Sequence, residues 1–513
     1  MRWTYPLSAE VELPAELIGG KAHGLVVLRR LGLPVPAGFV ISTEACRAFL
    51  GDGRLPDGLD GELAAAIAEL EAATHRRFGG PERPLAVSVR SGGGVSMPGM
   101  MSTILNLGLT AEAAAGLAAE TGDLEFALDS RRRFLSSFAS ATGGGQPVPD
   151  DAARQLELAV AAVFSSWDTP RATTYRELHD LPHDLGTAVT MQAMVFGNRD
   201  DHSGAGVAFS RNPNTGEPVP FGEVLFGRQG DDVVSGGSLT RPLHELAERA
   251  PTVWVGLLEA LQRVEEHQHD ACYLEFTFEA GELWLLQVRP GRFVGGAAVR
   301  VAVDLADEGA IGRSEALLRV SPQQLRHVRT PRVVTADEAD VLARGLGACP
   351  GVAVGRLATT ADRAVRMAAE GPVILVRPQT SPLDLHGLAA AAGVVTARGG
   401  PASHAAVVAR AMGRPAVVGV ADLTVDVANA AVRAGGHTVP EGTLITIDGT
   451  GGEVVIGRPR IVTAATDPYL DRLLEWADEV SGGHSDRPQG ERLRAAHAVL
   501  RHGGSDGPPA VPK

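Results

Sequence analysis

Lys21 lies on the Gly-Gly turn of "ELIGGKAHGL", and Lys513 is the only other lysine among 47 lysines and arginines. A chain that uses arginine everywhere else keeps an ammonium here. Such a compact charge on a flexible stem can reach a phosphate, where a planar guanidinium is bulkier and more demanding in geometry. In "SVRSGGGVSMPGMMSTILNLG", residues 88–108, a strand ends in Arg90. Gly92, Gly93, Gly94 and Gly99 then follow beside Ser91, Ser96, Ser102 and Thr103. Glycines let backbone N–H groups crowd around an anion, and hydroxyls add donors. The loop is neither a Walker loop nor a GxGxxG turn, and a tight structural turn is the alternative reading.

A third set is acidic. Asp231 and Asp232 fall in "RQGDDVVSG", read as a Gly-bounded loop, while Glu275, Gln287 and Arg289 alternate with apolar residues in "YLEFTFEAGELWLLQVR". A carboxylate and an amide on a sheet floor are hard oxygen donors suited to Mg²⁺ on a nucleotide, although a solvated sheet face gives the same pattern. The fourth stretch is "TARGGPASHAAVVARAMG", residues 396–413. Ser403 is placed to cap a helix, and His404 falls in its first turn. A phosphoryl group on that histidine would meet the positive end of the helix, and neutral imidazole is a competent nucleophile near pH 7. By contrast, "HQHD" at 267–270 has no third ligand at metal spacing and reads as a solvated helix end.

The elements that must hold these residues follow from periodicity. "GELAAAIAELEAATHRRF" has helical spacing, "LAVSVRS" and "TAVTMQAMVF" read as buried strands, and "YLEFTF" and "ELWLLQVR" form a hairpin around "EAG". Residues 298–345 read as mostly helical, with Ser314 capping "EALLRV". From residue 346 the strands "PVILVR", "AGVVTAR", "PAVVGV" and "LITID" alternate with short helices as far as "GGEVVIG". After residue 465 come the amphipathic helix "DPYLDRLLEWADEV" and a Gly/Ser/Pro/His-rich tail expected to be disordered.

With 513 residues, two to four domains are expected. A net charge of −14 without a basic block argues against nucleic acid as the main partner. Three scattered cysteines give neither a disulfide framework nor a zinc motif and fit a reducing cytoplasm. The N-terminus lacks a signal-peptide core, and no stretch of about 18 apolar residues could span a membrane.

Taken in chain order, these stretches, with "GGKAHGLVVLRRLGLPVPAGFVIST" and "MQAMVFGNRDDHSGAGVAFSRNPNTGE", resemble the pyruvate, phosphate dikinase family of PEP-utilising enzymes over roughly residues 15–460. The "SMPGMM" form is similar to the phosphate-using dikinases rather than to the water-using phosphoenolpyruvate synthases. The resemblance implies a multidomain protein of α/β and α+β class. An ATP-grasp-like nucleotide-binding domain would occupy 1–297, a helical linker 298–345, a swivelling β/α phosphohistidine domain 346–465, and a helix with tail 466–513. Hinges are expected near 291–297 and 346–351.

By matched motif positions, Lys21, Arg90, Gly99, Arg133 (in "LDSRRRFL"), Asp231, Gln287 and Arg289 are expected to bind ATP and phosphate. Glu275 and Gln287 are expected to hold Mg²⁺, with Lys21, Arg90 and Arg289 assisting catalysis. His404 matches the phosphorylated histidine: ATP and phosphate would load it, releasing AMP and pyrophosphate.

Three departures stand out. About 48 residues follow residue 465, where a pyruvate-binding (β/α)₈ barrel needs about 200, so a separate barrel protein is the expected partner. Tyr273 stands where the family has a metal-binding aspartate. Ala402 replaces the threonine that is regulatory in plant relatives. Two other functions stay open: a dikinase-like transfer to another small molecule, and a nucleotide-binding regulator weakened in turnover.

Overall fold

The computed structural model describes residues 2–502 except 96, 98–99, 146, 236–239, 292, 329–330, 335–340, 402, 464–466 and 484–485. Gly99, Ala402 and Lys513 therefore lie outside the described residues. Two compact units emerge: one holds 1–205, 226–228 and 274–289, and the other holds 206–225, 229–273 and 290–513.

The first unit is built on an antiparallel sheet whose strands run in the order Thr4–Pro6, Gly38–Ile41, Ala188–Ala193, Val87–Gly92, Thr103–Leu107. Alternation along Val87–Gly92 sends Val87 and Val89 into a core with Leu63, Phe134, Val160 and Met191, which leaves Arg90 on the other face. The helix Leu59–Thr74 forms as its spacing predicts and supplies Leu59, Leu63, Ile67 and Leu70 to that core.

The helix Ala15–Arg30 is kinked at Gly19, whose φ of 77° lies in the left-handed region open to glycine. A side chain there would overlap the Gly92 carbonyl oxygen, and Gly20 N–H donates to Gly93 O at 3.0 Å. The kink thus seats the turn carrying Lys21 directly on the glycine loop.

A further five-stranded sheet ends in the strands Cys272–Glu279 and Glu282–Pro290. Its last two strands are the expected hairpin. They are joined by Ala280 (φ 51°) and Gly281 (φ 82°), the pair of positive angles that a two-residue turn matched to strand twist requires.

The second unit contains an eight-stranded sheet. Val352–Ala358, Val373–Arg377, Gly393–Thr396 and Ala416–Val418 follow one another in parallel, with the helices Ala361–Ala368, Leu385–Ala390 and His404–Met412 between them. Ile374 and Val376 face one core, while Val373 and Leu375 face another with Ala405, Ala406 and Ala409. A strand covered on both faces explains the unbroken apolar run "VILV".

Four local expectations change. The 298–345 stretch is helical at Gly295–Asp307 and Arg313–Arg319, but Pro331–Val334 and Val341–Arg344 are strands, the latter an edge of the eight-stranded sheet. Gly312, not Ser314, stands at the N-cap of Arg313–Arg319. Asp231 and Asp232 begin a short helix, Gly230–Ser235, instead of an open loop, which suits carboxylates to the positive helix end. The expected tail contains a second helix, Gln489–His502. Its Leu493 and Ala496 are buried in one core with Leu470, Leu473 and Trp476 of Pro468–Ser481 and with Val299 and Leu317. "HQHD" closes the helix Pro251–Gln268, with His269 in the left-handed conformation as its C-cap. No helix among the described residues is long and apolar enough to cross a membrane.

Candidate functional site

The helix Ala15–Arg30, the strand Val87–Gly92 and the hairpin bring four of the singled-out charges together in the first unit. Arg90 Nη2 donates to Glu275 Oε2 at 3.0 Å, and Arg90 Nη1 donates to the Leu286 carbonyl at 3.1 Å. Arg289 Nη2 lies 3.7 Å from the other oxygen of Glu275. The Arg90 and Glu275 side chains are both only 16% exposed, so this pair is shielded from solvent screening. With its amide oxygen turned toward Arg289, Gln287 accepts from Nη2 at 2.6 Å and also from Nε.

Lys21 completes the cluster, and a Cβ on Gly92 would come within 3.2 Å of the Lys21 Cβ. Burial, reinforced by Arg90 and Arg289, pushes the Lys21 ammonium well below its ordinary pKa, while Glu275 opposes the shift. For Glu275 burial acts to raise the pKa. Arg289, Arg90 and Lys21 together outweigh it and hold the carboxyl below the usual carboxylate value. The arrangement is a cation-rich cradle with one carboxylate at its centre, suited to a polyphosphate.

Other expected members are placed elsewhere. Arg133, on the helix Leu124–Thr142, pairs through Nε with Asp129 at 2.8 Å. Asp231 is exposed in the second unit. Gly99 lies outside the described residues.

The donor set allows a test of the expected Mg²⁺. Glu275 and Gln287 supply hard oxygens, but both are engaged by arginines. No group of three or more His, Cys, Asp or Glu that could hold a metal occurs among the described residues. The Tyr273 ring packs 4.9 Å from that of Phe209. Two oxygen donors fit a magnesium ion that arrives with nucleotide phosphates as its remaining ligands, and do not make a cage for the ion alone.

In the second unit, His404 is the first residue of the helix His404–Met412, at the edge where the parallel strands end. Open α/β sheets place their ligand sites at that edge. Thr380, buried in the connection after Val373–Arg377, has its Oγ1 3.1 Å from His404 Nδ1. With Nδ1 occupied by this hydroxyl, Nε2 is the nitrogen left without a hydrogen-bond partner. Burial lowers the His404 pKa and the Asp384 charge partly restores it, so the ring is neutral at neutral pH.

Asp384 is fixed by Ser381 N–H (2.9 Å) and Oγ (3.2 Å), with Arg377 Nε 3.2 Å away. Arg410, six residues past the histidine, is buried. It donates to Pro401 O at 2.5 Å and to Ala348 O at 2.9 Å, tying down the connection that delivers His404. The sequence reading missed Thr380, Asp384 and Arg410. The first two had a readable signal, because "RPQTSPLD" follows a parallel strand adjacent to the one before His404 and so ends at the same sheet edge.

Comparison with known proteins gives matches to two family models along the chain. Residues 15–76 and 53–242 match the family model described as pyruvate phosphate dikinase, AMP/ATP-binding domain. Residues 369–452 match the one described as PEP-utilising enzyme, mobile domain. The chain is 39% identical to a pyruvate, phosphate dikinase of Rhizobium meliloti, over 93% of this chain and 60% of the relative. It is 40% identical to pyruvate, phosphate dikinase 2 of Zea mays, over 91% and 58%. Against the pyruvate, phosphate dikinase of Clostridium symbiosum it is 37% identical, over 93% and 60%. The chain thus spans about 60% of the length of these curated relatives.

Proposed function

Because this chain belongs to the pyruvate, phosphate dikinase family, we propose that it carries out the ATP-dependent half of that chemistry and loads a phosphoryl group onto His404. The observation that carries the reading is the state of the imidazole. Thr380 holds Nδ1, Nε2 has no partner, and burial favours the neutral ring. A neutral nitrogen with an open lone pair is what nucleophilic attack on phosphorus requires.

In the proposed sequence Nε2 attacks the β-phosphorus of ATP. The bond from that phosphorus to the α,β-bridging oxygen breaks, and AMP leaves with the electron pair. An oxygen of inorganic phosphate then attacks the terminal phosphorus of the histidine-bound pyrophosphoryl group. The bond to the bridging oxygen breaks, giving pyrophosphate and phosphohistidine.

Lys21, Arg90 and Arg289 would bind the phosphates and offset charge building on their oxygens, while Glu275 keeps the two arginines aimed. Glu275 and Gln287 would hold the Mg²⁺ that comes with the nucleotide, and its positive charge would further neutralise the transferring oxygens. Arg133, Asp231 and Gly99 are proposed as further ATP contacts on motif position alone. The acceptor in this reading is pyruvate bound on a (β/α)₈ barrel, in the cytoplasm.

Tyr273 favours a second reading. A ring packed on Phe209 leaves the site with few metal donors, so a chain that binds ATP with little turnover is the rival. Phosphate-dependent AMP formation distinguishes the two. Wild type should produce AMP and pyrophosphate from ATP, Mg²⁺ and phosphate, and His404→Asn should not. ATP binding with no AMP from either chain would support the rival.

A further inference from the structure

The connection that delivers His404 contains three buried polar atoms with no hydrogen-bond partner: Thr396 Oγ1 at the end of the strand Gly393–Thr396, Ser403 Oγ, and His404 Nε2 at the helix start. Thr396 is fully buried and Ser403 is 4% exposed. Buried hydroxyls are ordinarily satisfied, so an unsatisfied pair at one strand-to-helix junction calls for an explanation.

Ser403 is the sharper case. It occupies the N-cap position with extended angles (φ −62°, ψ 160°), yet its side chain makes no capping bond. Elsewhere in the chain Ser42, Thr110, Asp123, Asp151 and Thr360 each accept from their own helix. The first intrahelical bond here is Val407 N–H to Ser403 O at 3.0 Å. The N–H groups of His404, Ala405 and Ala406 precede it, and among the described residues none has an acceptor. One end of this nine-residue helix therefore presents unsatisfied donors and an unsatisfied buried hydroxyl, beside an imidazole nitrogen with an open lone pair.

We propose that Ser403 Oγ and the first-turn N–H groups of the helix His404–Met412 form the binding site for the phosphoryl group carried on His404 Nε2. The inference rests on the reading of His404 as the phosphoryl carrier. A phosphoryl group brings acceptor oxygens and negative charge, matching both the donors and the positive helix end. As the P–N bond forms at Nε2, the P–O bond to the leaving group breaks and takes its electron pair with it. The Nδ1 proton stays with the ring, hydrogen-bonded to Thr380. Ser403 then donates its O–H to a phosphoryl oxygen, and the hydroxyl left unsatisfied in the unloaded protein gains its partner on loading. Ser403 is thereby a catalytic residue.

The test compares wild type, Ser403→Thr, Ser403→Ala and His404→Asn after loading with ATP, Mg²⁺ and phosphate. Phosphohistidine is read by ³¹P NMR, and its formation rate and lifetime by acid-labile label. Ser403→Ala should load about tenfold more slowly or worse, lose the phosphoryl group faster and shift its ³¹P resonance. Ser403→Thr, which keeps the hydroxyl, should behave like wild type. If Ser403→Ala does not fold, Ser403→Cys keeps the size with a weaker donor and should show the same losses in smaller measure. Loading, lifetime and resonance unchanged in Ser403→Ala, with wild type loaded, would overturn the inference alone. An unlabelled wild type would overturn the carrier reading and this inference with it.

Discussion

Arg90 and Glu275, 185 residues apart in sequence, meet at 3.0 Å and join the sheet that carries the glycine loop to the hairpin. The pair is mostly buried, and Arg289 approaches the other carboxylate oxygen. Removing Arg90 would leave Glu275 without its hydrogen-bonded partner, with only the more distant Arg289 guanidinium and the Lys21 ammonium to offset its charge. Arg90→Met is expected to destabilise the protein by about 3 kcal/mol, the usual cost of leaving a buried charge without its partner. It should also abolish measurable ATP binding. Denaturant unfolding and calorimetric titration check the two effects.

Gly19 joins the Lys21 turn to the glycine loop by a backbone approach that no other residue permits. Gly19→Ala would force a side chain into the Gly92 carbonyl at a positive φ. The expected cost is roughly 2–4 kcal/mol. Thermal unfolding should show the loss, and ATP should stabilise the variant less than it stabilises wild type.

The survival of one internal lysine in an arginine-rich chain has a structural correlate. Lys21 is packed against Gly92 and shares its cluster with two guanidiniums. Lys21→Arg adds bulk where a Cβ on Gly92 already has little room. ATP affinity should fall at least about tenfold, or roughly 1.4 kcal/mol, with charge conserved. Unchanged affinity would mean that position 21 reads charge alone.

His404 sets a pH dependence whose sign follows from burial. Its folded pKa lies below the ordinary 6.5, so between the two values the unfolded chain binds more protons. Stability contributed by this residue is full above pH 6.5, falls as pH drops through that value, and levels off below the folded pKa. Loading should correspondingly persist at pH values where a free imidazole is mostly protonated. Asp384→Asn removes the charge that favours protonation and should move the acid limit of loading to still lower pH. Rate–pH profiles of histidine loading for wild type and Asp384→Asn test this.

Residues that announce themselves in the sequence share a feature: their chemistry depends on neighbours in the chain. His404 beside Gly399 and Gly400, the glycine loop after Arg90, and Glu275 on a strand with Gln287 and Arg289 facing it are local patterns. Thr380 was missed because its role exists only once two parallel strands lie side by side. The kink at Gly19 was not legible because it depends on Gly92, more than 70 residues away. The helix Gln489–His502 was lost among glycine, serine and proline neighbours, yet Leu493 and Ala496 bury against Leu470 and Trp476. Composition describes a segment's average, while a helix needs only a few apolar side chains on one face.

The most direct test of the central claim is to expose the protein to Mg²⁺, phosphate and ATP labelled at the β-phosphate, and then locate the label by peptide mapping at alkaline pH. The account predicts acid-labile label on His404, absent from His404→Ala and accompanied by AMP. Label on another residue, or none despite ATP binding, would contradict it.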